Sequence, residues 1–380
     1  MITRFKIKNF KCFNEFEIDN LSQINILLGE SSVGKSTLLE AIFGYACGKN
    51  DSVSIEHILF RQNRDSNQNL YSLVEKVLNS FYSIEDLEFT FEADIMKENE
   101  NITKKYTYKI NPGSIFGEVE PKMNKNIIFN NEEIGAPIVV QDINNIRQQI
   151  PQKFLFQLDL EENNQNIKSK KVFYPLFTME PSNEEPFLMA NILNSLNFKS
   201  LAHLNRIYSV LKRKPEEFRY FLAELNKAFK NEIKDIDMFP YPDGTLAPIS
   251  IKNSTEKFIP IYEYGEGLQK GFCMLGNQFV FQNSIHCIEE IGDMLHPSAQ
   301  GVLGVNLSKL AEKNNNQIFA TTQSLEFLTN YLLKVSENNK ELLNKIRVIT
   351  LKRIDDDIRA RVIDGEKALK LIVDNGLELR

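Results

Sequence analysis

One run of residues in this chain is built to hold phosphate: Gly29-Glu30-Ser31-Ser32-Val33-Gly34-Lys35-Ser36-Thr37. It fits G-x-x-x-x-G-K-S. In that arrangement successive backbone N–H groups surround the phosphates, the lysine reaches the β- and γ-phosphates, and the hydroxyl holds Mg²⁺. Lys35 and Ser36 fill the last two roles here. The flanks suit the chemistry as well. Ile24-Asn25-Ile26-Leu27-Leu28 reads as a buried strand running into the loop, and Leu38, Leu39, Ile42 and Phe43 recur at helical spacing after it. A strand, a glycine-bearing turn and a helix start together make an anion site, because free N–H groups and the helix dipole point the same way. The run implies binding of a nucleoside triphosphate.

Three later segments offer matching chemistry. Tyr264-Gly265-Glu266-Gly267-Leu268-Gln269-Lys270-Gly271 precedes the apolar stretch from Phe272 to Phe281 and reads as a glycine-led helix start. Taken alone it is also the pattern of an ordinary tight turn. Ser284-Ile285-His286-Cys287-Ile288 is an apolar strand ending in Glu289-Glu290. Carboxylates at the carboxyl edge of an open α/β sheet stand where ligands bind, one able to hold Mg²⁺ and the other to orient water. An isolated pair reads equally well as two solvated acids. Gln317-Ile318-Phe319-Ala320 is a further apolar strand, ending in Thr321-Thr322-Gln323-Ser324 ahead of a helix.

The elements around these segments follow from periodicity. Residues 1–28 alternate apolar and polar (Phe5, Ile7, Phe13, Phe16, Ile18), giving two strands with a turn near Asn9 to Asn14 and then the strand feeding the loop. From about 85 to 180 the chain is strand-like, clearest at 87–91, 106–110 and 127–129, with a turn at Asn111-Pro112-Gly113. The Asn/Glu/Lys stretches 96–105 and 161–171 read as hairpin ends. Residues 185–235 change to helical period, with one stripe at Leu201, Leu204, Ile207, Tyr208 and Leu211. A second stripe at Phe218, Phe221, Leu222, Leu225 and Phe229 is opened by Pro215-Glu216-Glu217. Asp237 to Gly244 punctuates a return to strand at 248–251. This divides the chain into an N-terminal lobe (1–184), a helical insertion (185–235) and a C-terminal lobe (236–380).

Composition narrows the function classes. With 42% hydrophobic and 25% charged residues over 380 positions, the chain is globular. No apolar run approaches the ~18–20 residues of a membrane span, and the start lacks a signal-peptide core, so a cytoplasmic location without membrane contact is expected. Cys12, Cys47, Cys273 and Cys287 are scattered without a C-x-x-C pair, which argues for reduced packing residues over a zinc site. The net charge of −6 does not favour a broad nucleic-acid surface. Lys212-Arg213-Lys214 and Lys168, Lys170 and Lys171 read as solvated faces.

The ordered set of phosphate loop, Gly-Glu-Gly helix start, Glu289-Glu290, Leu295-His296-Pro297 and Thr321-Thr322-Gln323-Ser324 resembles an ABC-type ATPase head of the SMC, RecF and OLD group. Prokaryotic AAA-family ATPases of phage-defence type are similar in kind. The opening phrase Ile7-Lys8-Asn9-Phe10-Lys11-Cys12-Phe13 is similar to that group's first strands. The gap of about 250 residues between Lys35 and Glu290 suits a head with an inserted middle segment. The resemblance implies an α/β P-loop NTPase fold with a mixed central sheet, a β-rich first lobe and a helical insertion. It implies that Gly29 to Thr37 bind ATP, that Ser36 and Glu289 hold Mg²⁺, and that Glu290 positions water. It further implies that Gly265, Glu266 and Gly267 close over the nucleotide of a second subunit, that Leu295-His296-Pro297 crosses the interface, and that Gln323 stands in the switch position.

Three departures bear on rate. Gly265 replaces the usual Ser and removes a donor. Glu289 replaces Asp and moves the carboxylate out by roughly 1.5 Å, one bond length. Gln323 replaces His and cannot carry a proton. Together they imply slow hydrolysis, with ATP-driven dimerisation as the signal, and a separate effector (toxin or nuclease) as partner, in antiviral defence. Direct action on DNA in repair, and service as a transporter subunit, stay open as alternatives. Asp355-Asp356-Asp357 superficially offers the D-x-D of a TOPRIM nuclease, yet lies between two strand-like runs with 23 residues following, so a hairpin turn without a nuclease is expected.

Overall fold

A computed structural model describes residues 1–47, 82–83, 88–97, 100–110, 128–131, 136–139, 154–163, 165–174, 189–193, 198–230, 232–239, 249–253 and 256–374. The first nine strands are β1 (Ile2–Phe10), β2 (Phe13–Ile18), β3 (Ile24–Leu28), β4 (Glu88–Lys97), β5 (Glu100–Ile110), β6 (Ile128–Asn131), β7 (Ala136–Val139), β8 (Phe154–Glu162) and β9 (Gln165–Tyr174). The remaining eight are β10 (Met189–Leu193), β11 (Asp235–Met238), β12 (Ile249–Lys252), β13 (Phe258–Pro260), β14 (Ser284–Ile288), β15 (Gln317–Thr321), β16 (Ile346–Ile354) and β17 (Asp357–Asp364). The helices are α1 (Lys35–Ala46), α2 (Leu201–Lys212), α3 (Pro215–Phe229), α4 (Glu266–Val280), α5 (Pro297–Lys313), α6 (Leu325–Asn338) and α7 (Gly365–Val373).

The chain divides into two compact units, one of residues 1–19, 40–187 and 353–359, the other of residues 20–39, 188–352 and 360–380. The first unit holds a six-stranded antiparallel sheet in the order β2-β1-β4-β5-β8-β9. Alternation decides its buried face: Phe5, Ile7, Phe13, Phe16, Phe89, Phe91, Tyr106 and Tyr108 are buried. Phe89 stacks on Tyr108 with ring centroids 4.8 Å apart, and Tyr45 of α1 meets Phe5 and Tyr106 edge-on at 5.6 and 5.2 Å. Each such ring contributes about 2–3 kcal/mol by burial, with about 1 kcal/mol more from ring geometry. The β1–β2 turn falls at Lys11-Cys12. The stretches 96–105 and 161–171, read as hairpin ends, lie mostly within β4 and β5 and within β8 and β9, because cross-strand pairing continues through their polar residues. The Asn111-Pro112-Gly113 turn lies outside the described residues.

The second unit is organised on a sheet of order β10-β14-β15-β3-β16-β17. β10, β14, β15, β3 and β16 run parallel to one another. β3, β14 and β15 are buried along their full length, which explains why they read as continuous apolar runs and not as alternating ones. The helical reading of 185–235 holds for α2 and α3. It fails at residues 189–193, which form β10, an edge strand of the parallel sheet. Five residues are too short for period alone to separate strand from helix.

Both predicted helical stripes are buried, with Leu204, Ile207, Leu211, Phe221 and Leu225 in one core with Phe272, Leu275 and Leu303 of α4 and α5. Leu201 departs from this, 39% exposed in the first turn of α2, where the stripe runs past what covers it. Pro215 opens α3 with Glu216 and Glu217 in its first turn, as read. β16 and β17 are joined through Asp355-Asp356, with Asp355 at φ +54°, so the triple aspartate is a hairpin turn. Among the described residues no helix is long and apolar enough to cross a membrane.

Candidate functional site

β3 ends at Leu28 and α1 begins at Lys35, so residues 29–34 form the turn between them. Its backbone is contorted: Gly29, Ser32 and Gly34 have φ of +145°, +63° and +98°. Gly29 admits no side chain, since a Cβ there would stand 2.6 Å from the Leu351 carbonyl oxygen of β16. The turn folds around the Lys35 side chain, whose ammonium donates to the carbonyls of Gly29 and Glu30, each at 2.8 Å. Burial lowers the Lys35 pKa, and the charge of Glu290 opposes that shift, so the lysine and the acid feel each other's field. Glu30, Ser31, Ser32 and Ser36 are exposed, Thr37 is half-buried and Val33 is buried as the loop's anchor. No acidic residue lies in the first turn of α1, leaving its positive end uncompensated from within the helix.

β15 lies between β3 and β14, which brings the acids to the same edge of the sheet as the loop. The Glu289 N–H donates to the Leu193 carbonyl at 2.8 Å, continuing the β10–β14 pairing by one residue. Glu290 then turns out of the strand at φ +43°, a conformation that costs a non-glycine residue about 1–3 kcal/mol and persists only where its surroundings hold it. They do. Its N–H donates to Thr321 Oγ1 at 2.9 Å. Its carboxylate accepts from the Gln323 backbone N–H at 3.2 Å and from Gln323 Nε2 at 3.1 Å. Gln323 Oε1 in turn accepts from Ser31 Oγ at 3.0 Å. An unbroken line therefore runs from the phosphate loop through Gln323 to Glu290.

Gly265 is the N-cap of α4 and is exposed, as is Glu266, which is ion-paired with Lys199. A side chain at Gly265 would meet nothing within 4 Å, whereas a Cβ at Gly267 would fall 2.4 Å from the Met294 carbonyl oxygen. The start of α4 thus packs directly on the loop that follows Glu290. Among the described residues no hydrogen bond joins residues 265–267 to residues 29–37. His296 is exposed and caps α5, accepting from the Ser298 N–H at 3.2 Å on Nδ1.

Two further contributors act here, Thr321 from the polar cluster that ends its strand and Lys270, which has no spacing signal in the sequence. Thr321 supplies the hydroxyl under Glu290. Lys270, 4% exposed on α4, donates to the Glu290 carbonyl at 2.5 Å and the Asp293 carbonyl at 3.3 Å. Burial brings its pKa down to about 8, against the opposing charges of Asp293 and Glu290.

The donor set suits Mg²⁺ better than a metal enclosed by protein ligands. Among the described residues no group of three or more His, Cys, Asp or Glu is placed to hold a metal. An exposed Ser36 hydroxyl at the helix start and a half-buried Glu289 at a strand end are what a cation bound chiefly through phosphates and water requires.

Comparison with known proteins agrees with this geometry. A family model described as an AAA ATPase domain matches residues 1–328. An ATP/GTP phosphatase of Helicobacter pylori (strain ATCC 700392 / 26695) is 24% identical over 387 aligned positions, covering 96% of each chain. The DNA replication and repair protein RecF of Bacillus mycoides (strain KBAB4) is 31% identical, but over 64 residues and 17% of each chain. Among solved structures, an SMC head bound to the C-winged helix domain of ScpA aligns with TM-score 0.53 at 12% identity, covering 97% of this chain and 99% of that one. The fold is that of an SMC-type ATPase head, and the chain belongs to the AAA ATPase domain family as a nucleotide-binding, ATP-hydrolysing P-loop enzyme.

Proposed function

We propose that the protein hydrolyses ATP in a site formed by residues 29–37 and the acid edge of one copy, completed by Gly265, Glu266 and Gly267 of a second copy. The observation that carries this reading is the division of labour within one chain. Loop, Gln323 and Glu290 are bonded into one line, while the glycine-led end of α4 stands exposed without a bond to that loop. An exposed helix start suits a phosphate supplied from elsewhere.

In this reading Gly29 to Thr37 hold the phosphates, with Lys35 exchanging its two loop carbonyls for β- and γ-oxygens. Mg²⁺ held by Ser36 and Glu289 would neutralise charge on the same oxygens. Glu290 orients water toward the γ-phosphorus and accepts its proton. Gln323 fixes the carboxylate by donating to it but carries no proton, and Gly265 offers no hydroxyl, so turnover is slow and closure of the dimer outlasts chemistry.

The test is Glu290→Gln. Turnover is expected to fall about 10²–10⁴-fold, the usual worth of a positioned base, while ATP binding persists and the dimer accumulates in sedimentation velocity. Wild-type turnover in this variant would move the base elsewhere, and a monomer at saturating ATP would remove the second copy from the site.

The SMC head that shares this fold is described bound to part of another protein. That precedent supports a further reading in which closure regulates or scaffolds a separate effector, a toxin or nuclease, in antiviral defence. Purification with neighbouring gene products that yields no associated protein would count against it. The short stretch of likeness to RecF favours direct action on DNA as the second reading. It requires salt-sensitive DNA binding and DNA-stimulated turnover.

A further inference from the structure

The loop after Glu290 is unusual in how its carbonyl groups are satisfied. The Glu290 and Asp293 carbonyls accept from Lys270, and those of Gly292 and Leu295 accept from Gln300 Nε2 at 3.3 and 3.2 Å. The Met294 carbonyl lies against Gly267. Glu290 and Met294 both hold left-handed backbone, at φ +43° and +65°. A segment of this kind persists where its surroundings over-determine it, and here side chains from two helices add to its own backbone bonds. Gln300 belongs to α5. Lys270 and Gly267 belong to one turn of α4, the helix whose start carries Gly265.

We infer that Lys270 is the positioning residue of the hydrolytic site, tying the glycine-led end of α4 to the backbone of Glu290 so that its carboxylate stays aimed along the Ser31–Gln323 line. The inference rests on Glu290 being the base. Its geometry is direct. The ammonium reaches the carbonyl of Glu290 itself, one residue's backbone from the carboxylate it orients, and it also bonds the carbonyl three residues on, closing the turn. The Asp293 N–H donates to the same Glu290 carbonyl at 2.9 Å, so Lys270 caps a turn already formed and fixes its direction. Among the described residues Lys270 has carbonyl partners and no carboxylate in a salt bridge, and a buried cation so placed orients backbone. Because α4 begins at the residues proposed to meet the second copy's nucleotide, Lys270 also carries any movement of that helix to Glu290.

The experiment compares Lys270→Met, Lys270→Gln and Glu290→Gln with wild type, each alone, and Lys270→Met combined with Glu290→Gln. Met keeps the length of the stem inside an apolar neighbourhood; Gln keeps one donor. The expected result is a kcat at least tenfold lower in Lys270→Met and intermediate in Lys270→Gln, with KM for ATP within twofold of wild type. In the double variant the expected kcat equals that of Glu290→Gln alone, because the lysine acts only through that residue. A kcat unchanged in Lys270→Met and Lys270→Gln beside an inactive Glu290→Gln overturns the inference by itself. A double variant weaker than Glu290→Gln by the full single-variant factor also overturns it. If Lys270→Met does not fold, the Lys270→Gln comparison with wild type decides on the same kcat-against-KM criterion. Wild-type turnover in Glu290→Gln overturns the assignment of the base and this inference with it.

Discussion

The two edges of the parallel sheet use polar side chains in opposite ways. At the amino-terminal edge several neutral, buried side chains are bonded to one another and to nearby backbone. Asn316 Nδ2 donates to Gln278 Oε1 at 3.0 Å and to the Phe281 carbonyl at 2.9 Å, while its Oδ1 accepts from the Ser284 N–H at 3.1 Å. Asn25 closes on Ser22 through both ends of its amide, at 2.9 and 2.7 Å, and Gln317 Nε2 reaches the Ser22 carbonyl at 2.8 Å. These bonds close the loops that enter the strands. At the carboxyl edge stand Lys35, Glu289 and Glu290, charged, with non-glycine backbone at positive φ and hydroxyls exposed. Polar groups whose partners all lie within the fold stabilise it. Charges set on strained backbone at a rim are what the fold holds ready for a ligand.

Removing the central charge of the carboxyl edge has the largest expected effect: Lys35→Ala loses nucleotide binding by calorimetry while the thermal midpoint changes little. Retained affinity would erase the functional half of the contrast.

At the opposite edge, pH is the sharper tool. His286 is fully buried and neutral, and burial holds its pKa down at about 4 against an ordinary 6.5, with the Phe281 carbonyl and Asn316 opposing. Between those values the unfolded chain binds the extra proton, so stability rises with pH across the window and is lost as pH falls from 6.5 toward 4. The most this can amount to is about 3 kcal/mol. The shift at half-buried His203 has the same direction. His286→Gln is expected to flatten the fall of thermal midpoint between those pH values, leaving kcat at neutral pH unchanged.

Asn316→Ala strips partners from Ser284 and Gln278 and is expected to cost about 2 kcal/mol, read from urea unfolding, again with unchanged kcat. A variant at this edge that altered turnover without altering stability would break the comparison. The smallest effect is at Gly265. The space there accepts a hydroxyl, and Gly265→Ser is expected to raise stability by only a few tenths of a kcal/mol as a better N-cap while increasing kcat, since in the proposed two-copy site it adds a donor for the partner copy's phosphate.

The contrast also separates what was legible in the sequence from what was not. The phosphate loop was readable because glycine, lysine and hydroxyl must occur at fixed spacing between an apolar strand and a helix. The acid strand and the Gln323 strand were readable as continuous apolar runs ending in polar clusters. Strands β4 and β5 showed through their apolar segments at 87–91 and 106–110, whereas most of β8 and β9 did not, their polar residues reading as a hairpin end. Long-range pairing did not show. Nothing in Met189–Leu193 announces a partner some 95 residues later, at Ser284–Ile288, and strand order is decided by contacts between distant segments. The backbone sign at Glu290 was equally hidden, since no glycine marks it. Lys270 was visible as a letter but silent as a role: its partners are carbonyl groups, which carry no sequence.

One consequence follows from where β3 lies. The strand that launches the phosphate loop is hydrogen-bonded on one side to Ile318–Thr321 and on the other to Ile346–Thr350. A ribosome making this chain extrudes the loop some 300 residues before either neighbour, an interval on the order of half a minute at ordinary elongation rates. Through that time Ile24–Leu28 has neither of the two strands that flank it in the finished sheet. The seat of the phosphate loop is therefore completed by chain made long after the loop itself.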